Sequence, residues 1–175
     1  MKDVLRISAF VASMAASSGL MAATDGVVDS TSTGTLDITV SVADAVRISG
    51  LTDIVAAFDG TNDIVETSDA CIYRNAAGGN YAVTATGSGA ANAFTIDDSG
   101  TGGTTVIPYE VRWNGSATAM TAGNQLTGQT GAHETSTTCA GTPNATVEVT
   151  ISATDLLTAP QTSLTGTLTL VVAPE

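Results

Sequence analysis

The stretch Val106-Ile-Pro-Tyr-Glu-Val-Arg-Trp-Asn114 puts Ile107, Tyr109, Val111 and Trp113 at every second position, with Pro108, Glu110, Arg112 and Asn114 between them. Successive side chains of a strand point to opposite faces, so this spacing predicts a β-strand with one bulky buried face and one polar face. The same alternation recurs on both sides. Downstream, Ala145, Val147, Val149 and Ile151 repeat it, and Leu168, Leu170 and Val172 make a last strand that Pro174 stops. Upstream, Leu36, Ile38, Val40 and Val42 share one face against Thr35, Asp37, Thr39 and Ser41. Val46, Ile48 and Leu51 continue out of phase, across Asp44 and Ala45, toward Ile54 to Phe58. Between these ends lie Ile64 and Val65, Cys71–Tyr73, Tyr81 with Val83 and Ala85, and Phe94 with Ile96, punctuated by turn signals at Asp59-Gly60, Asn62-Asp63 and Gly78-Gly79-Asn80. Helix is supported only for one turn at Thr154–Leu157. From Gly115 to Pro143 the residues are small and polar, which predicts a long excursion anchored only by Met120, Leu126 and Cys139. About seven to nine short strands at this spacing predict an all-β chain, a two-sheet β-sandwich of immunoglobulin-like type.

Composition narrows the functional classes. Of 175 residues, 43% are hydrophobic and only 13% charged, which excludes a charge-rich disordered chain. Five basic residues against 17 acidic ones give a net charge of -12, so there is no basic face for a phosphate backbone, and nucleic acid is excluded as a partner. Lys2 and Arg6 precede an apolar or small run, Ile7 to Met21, and Ala22-Ala23 offers the small residues a signal peptidase accepts. Residues 1–23 are therefore expected to be a secretory signal peptide. Serines and Gly19 dilute a run already too short to span a bilayer, so no membrane insertion is expected after cleavage. The remaining chain divides into an N-terminal extension, 24–43, and one domain, 44–175, with no lysine in either.

An exported chain with two cysteines, Cys71 and Cys139, is most simply read as carrying one disulfide, the alternative being two separate buried thiols. Motifs for chemistry are scarce. His133 is the only histidine and falls in a polar loop where surface exposure is expected. No zinc ligand set, Ser/His/Asp set or other metal or cofactor site can be singled out, and the chain is not expected to be an enzyme. Asp59-Gly-Thr-Asn-Asp63 spaces oxygen ligands like a calcium loop but lacks the downstream bidentate Glu, so a plain turn is expected. Asn114-Gly-Ser and Asn144-Ala-Thr fit the glycosylation sequon and equally fit turns.

The strand over 34–42 is the unusual feature. It sits at the start of the mature chain, out of phase with the next strand, and could pack in its own sandwich as an ordinary first strand or in a neighbour's. In the second case the chain has one strand too many at its N-terminus and one too few elsewhere, the make-up of a polymer subunit joined by β-strand addition.

The run Gly34-Thr-Leu-Asp-Ile-Thr-Val-Ser-Val-Ala-Asp-Ala-Val-Arg-Ile48 resembles the N-terminal donor strand and first domain strand of chaperone–usher pilus subunits of the archaic and alternative classes, spore-coat-U-like or colonisation-factor-like. Val106–Asn114 resembles their central P-x-x-V-x-W strand, and Ala159-Pro160 with Leu164–Val172 resembles their final strand. The resemblance implies an incomplete immunoglobulin-like domain with an open apolar groove, covered in the periplasm by a chaperone, delivered to an outer-membrane usher, and then filled by the N-terminal strand of the next, identical or homologous, subunit. By position, Leu36, Ile38, Val40 and Val42 would be the donor residues, and Leu168, Leu170 and Val172 would line the groove and meet the chaperone. The implied product is an extracellular filament on the cell surface, supporting attachment or biofilm. A stand-alone secreted β-sandwich that binds a glycan or a protein is the competing reading.

Overall fold

The computed structural model describes residues 23–99, 103–160 and 163–175. The expected signal peptide lies, but for Ala23, outside the described residues. The chain divides into two units, one ending at Val42 and the other spanning Ala43–Glu175.

In the first unit the backbone amide of each of Thr24 and Thr35 donates to the other's carbonyl, at 2.9 and 3.0 Å, an isolated antiparallel bridge. The strand expected over 34–42 is not formed: residues 36–42 carry no ladder, and only Thr35 makes a bridge.

The second unit is nearly all β, with nine strands among the described residues: β1 (Val46–Ser49), β2 (Ile64–Arg74), β3 (Tyr81–Gly87), β4 (Thr95–Asp97), β5 (Val106–Pro108), β6 (Glu110–Trp113), β7 (Gln125–Gln129), β8 (Ala145–Ile151) and β9 (Leu168–Pro174). Every ladder is antiparallel. One sheet has the order β1-β2-β8-β6, a second β7-β3-β9, and β4 and β5 form a two-stranded sheet. Strand β2 is long enough to have different neighbours along its length: Ile64–Ala70 pair with β8, and Cys71–Arg74 pair with β1. The expected helical turn is α1 (Ala153–Leu156), capped where the Ser152 hydroxyl accepts from the Thr154 amide at 3.2 Å.

Alternation becomes burial. Along β8, Ala145, Val147, Val149 and Ile151 are buried while the residues between them are half-exposed. Ile72 of β2, Tyr81 and Val83 of β3, and Val111 and Trp113 of β6 are the largest fully buried side chains, and residues of both larger sheets share one core cluster. Trp113 meets Tyr81 edge-on, with ring centroids 6.4 Å apart, and its Nε1 donates to the Tyr81 hydroxyl at 3.2 Å. This arrangement is compatible with a β-sandwich.

Further expectations need correction. Pro174 does not stop the last strand but is its final residue, opposite Tyr81. The strand read over 107–113 is two: Ile107, Tyr109, Val111 and Trp113 all face the core, but β5 pairs with β4 and β6 with β8. The break follows Pro108, which has no N–H for a ladder, and the Tyr109 amide donates to Phe94 instead. The excursion after Gly115 is also less loose than expected, because Gln125–Gln129 forms β7 along β3.

Candidate functional site

Strand β1 leaves β2 at Gly50, whose φ of +85° lies in the left-handed region that glycine adopts without strain. Residues 51–58 then run without a ladder, although the sequence pattern continues from Leu51 toward Ile54 to Phe58. The segment is tied to β2 at Thr52. The buried Ser68 hydroxyl accepts from the Thr52 amide at 2.9 Å and donates to the Thr52 carbonyl at 3.0 Å, doing with a side chain what a neighbouring strand would do with its backbone.

On the other side, β9 pairs with β3 along one edge, and no strand among the described residues pairs with its second edge. Just before β9 the chain is pressed against β4. Asp97 and Thr165 exchange backbone hydrogen bonds at 2.9 and 2.8 Å, and a Cβ on Gly166 would stand 2.7 Å from the Thr95 carbonyl oxygen, so a side chain there would push the two backbones apart.

Between residues 51–58 and the run 163–170 lies a groove of about 860 Å³. Its floor is Val147, Val149 and Ile151 of β8 with Ile96, Tyr109 and Leu156, and its walls include Ile54, Phe58, Leu164, Leu168 and Leu170. Tyr109 stacks on Phe94 at 5.6 Å, and burial pushes its phenol above the ordinary tyrosine range. The lining mixes these apolar side chains with Thr52, Asp53, Ser68, Thr165 and Thr167, and it adjoins a strand edge that is unpaired among the described residues, so it offers both apolar contact and main-chain partners to an extended peptide.

Of the residues singled out in the sequence, Leu168 and Leu170 line this groove, while Val172 packs against the core beyond the part that is lined. Leu36, Ile38, Val40 and Val42 are 69%, 82%, 78% and 81% exposed, a row of branched aliphatics. Cys71 and Cys139 are joined as expected. His133 is not a free surface side chain. Its backbone bridges β2, the amide donating to Ile72 at 2.8 Å and the carbonyl accepting from Arg74 at 3.1 Å, and its Nδ1 accepts from the Ser136 amide at 3.0 Å, so its role is structural. Asn144 is similarly occupied: Oδ1 accepts from the Ile72 amide at 2.8 Å, and Nδ2 donates to the Ile72 and Gly131 carbonyls, both at 2.9 Å. Asp59 caps its turn by accepting from the amides of Thr61 and Asn62 at 2.8 and 2.9 Å, and those bonds, led by Asn62, hold its carboxyl below the usual range.

Sequence reasoning missed Ser68, Gly50 and Gly166, because a single serine or glycine carries no periodic signal. Gly50 alone had a clue, since it ends the β1 pattern. Among the described residues no group of three or more His, Cys, Asp or Glu could hold a metal ion, and no helix is long and apolar enough to cross a membrane. No protein-family model matches the chain, and no curated protein matches it.

Proposed function

We propose that this protein is a structural subunit of an extracellular filament in which residues 34–42 of one copy fill the groove of the next, completing an immunoglobulin-like sandwich by donor-strand exchange. The observation that carries the reading is a complementarity within one sequence: a groove with an apolar floor beside an edge of β9 that is unpaired among the described residues, and a seven-residue row, Leu36–Val42, with four exposed aliphatics in strict alternation. The row is as long as β9, itself seven residues. Burying four such side chains favours the joint by roughly 6–12 kcal/mol before association costs and main-chain hydrogen bonds. Until the next subunit arrives, the open groove would need a chaperone in the periplasm and an usher at the outer membrane, as in the pilus subunits the sequence resembles.

Negative-stain microscopy of material sheared from cells expressing the chain tests this. Filaments that an antibody to the chain decorates are expected. Secreted chain that stays monomeric, in cells that also supply a matching chaperone and usher, would favour the stand-alone binding module.

A further inference from the structure

The groove and the row Leu36–Val42 belong to one chain, so a subunit could in principle fill its own groove and never polymerise. The place where the extension joins the domain bears on this. Residues 43–45 are held by two consecutive residues at the end of β2. Asn75 Oδ1 accepts from the Ala45 amide at 2.7 Å, Asn75 Nδ2 donates to the Ala43 carbonyl at 2.8 Å, and the Asn75 amide donates to the Ala45 carbonyl at 3.1 Å. Arg74 takes the residue between: Nε donates to Asp44 Oδ1 at 3.1 Å and Nη2 to Asp44 Oδ2 at 2.7 Å, a two-pronged ion pair. Its Nη1 donates to the Asn80 carbonyl, which also accepts from the Glu175 amide, so Asp44 is held beside the C-terminal end of β9.

From that point Leu36–Val42, extended, would span about 23 Å, enough to run back along the open edge of β9. To do so the chain must reverse within residues 43–45, and a three-residue reversal is within the ordinary reach of hairpin loops. It would have to redirect the Ala43 carbonyl and the Ala45 amide and carbonyl, the groups that Asn75 holds.

We propose that Asn75 and Arg74 form an exit clamp that keeps residues 43–45 from turning, so that the row Leu36–Val42 is withheld from its own groove and left for a second copy of the chain. The inference rests on the assembly reading above. It makes Asn75, Arg74 and Asp44 positioning residues, remote from the groove lining, whose loss changes which groove is filled rather than whether a groove exists.

The test uses the full chain purified from the periplasm and a labelled synthetic peptide of residues 34–42. The wild type is expected to take up the peptide. Asn75→Ala and Asp44→Asn are expected to take up roughly a hundredfold less at micromolar peptide, because a tethered segment competes at an effective concentration in the millimolar range. They should remain monomeric by light scattering and lose filament yield. Near-UV circular dichroism from the Trp113–Tyr81 contact reports whether each variant is folded, and Asp44→Asn, which loosens residues 43–45 by removing the ion pair without deleting an atom of Asn75, decides the matter if Asn75→Ala is not. Folded variants that bind the peptide as well as the wild type would overturn the clamp and leave the assembly reading standing. A wild type that binds no peptide would overturn both.

Discussion

Ser68 and Thr52 are joined by three hydrogen bonds through the single Ser68 hydroxyl, to the Thr52 amide, carbonyl and side-chain hydroxyl, and they are the point where the free-running wall of the groove is tied to the sheet. Ser68→Ala removes all three bonds at a buried position and takes this partner from the amide and carbonyl of the exposed Thr52. We expect a loss of about 1–3 kcal/mol in a denaturant titration. Amide exchange should speed up at residues 51–58 and stay unchanged along β3 and β8, since the core side chains are untouched. Uniform acceleration across the domain would show that the wall is held by more than this tie.

Removing the bond between Cys71 and Cys139 should cost more. It closes a separation of 68 residues, and loss of such a link in a small exported domain destabilises it by about 2–5 kcal/mol. Intact mass after alkylation without reductant should show no labelled thiol. The double Cys→Ser variant should melt lower yet keep its loop near β2, because the His133 backbone and the Asn144 amide hold residues 131–144 independently of sulfur.

What could be read from the sequence depends on the environment each segment meets. Ile107 to Trp113, Ala145 to Ile151 and Leu168 to Val172 lie between a core and a polar face, and two-sidedness writes a period of two. Gln125–Gln129 has only Leu126 as an apolar member, so its strand is a property of its pairing with β3 and leaves no periodic trace. Leu51 to Phe58 shows the reverse case: the residues favour a strand, but among the described residues none pairs with them in a ladder. The groove was legible in its β9 wall and in the aliphatic row that would fill it. Its other wall depends on a left-handed Gly50 and one serine hydroxyl, neither of which a pattern can announce.

Acid should loosen the root of the extension before it affects the core. The hydrogen bond from Arg74 is the main reason the Asp44 carboxyl sits below its ordinary value of 3.8. A depressed carboxyl contributes stability that is fully present above the unfolded value and is lost as the pH falls through the folded one. Between about pH 5 and 8 this contribution is therefore flat, and it disappears only below about pH 4. Exchange of the Ala45 amide, followed against pH, should rise in the acid window in the wild type. In Asp44→Asn it should not respond there. The Asp59 turn, depressed by its own amide bonds, should open over the same range and serve as an independent marker.

Tyr109 offers a probe inside the groove. Burial holds its phenol above the ordinary value of 10.0, and a strand laid over it would exclude more water from the phenolate. Uptake of the 34–42 peptide should therefore move one tyrosine titration further upward, read from phenolate absorbance. The same coupling means that uptake weakens as the pH rises through that range. Tyr109→Phe should abolish the shift while still binding the peptide. A shift that persists in Tyr109→Phe would place the peptide elsewhere.

The face of the donor row is testable one residue at a time. In an extended segment Ile38 and Val40 point to one side and Thr39 to the other. Ile38→Asp or Val40→Asp would carry an ionised carboxylate into a groove lined by Val147, Val149, Leu168 and Leu170, which costs several kcal/mol unless the charge is neutralised or paired. Both should abolish filaments while leaving export intact, because all three positions are exposed before assembly. Thr39→Asp keeps its charge on the solvent side and should assemble at close to the wild-type yield. Equal loss in all three variants would mean that the row enters with a different face. Full assembly by all three would mean that the row does not enter at all, and the filament reading would fail with it.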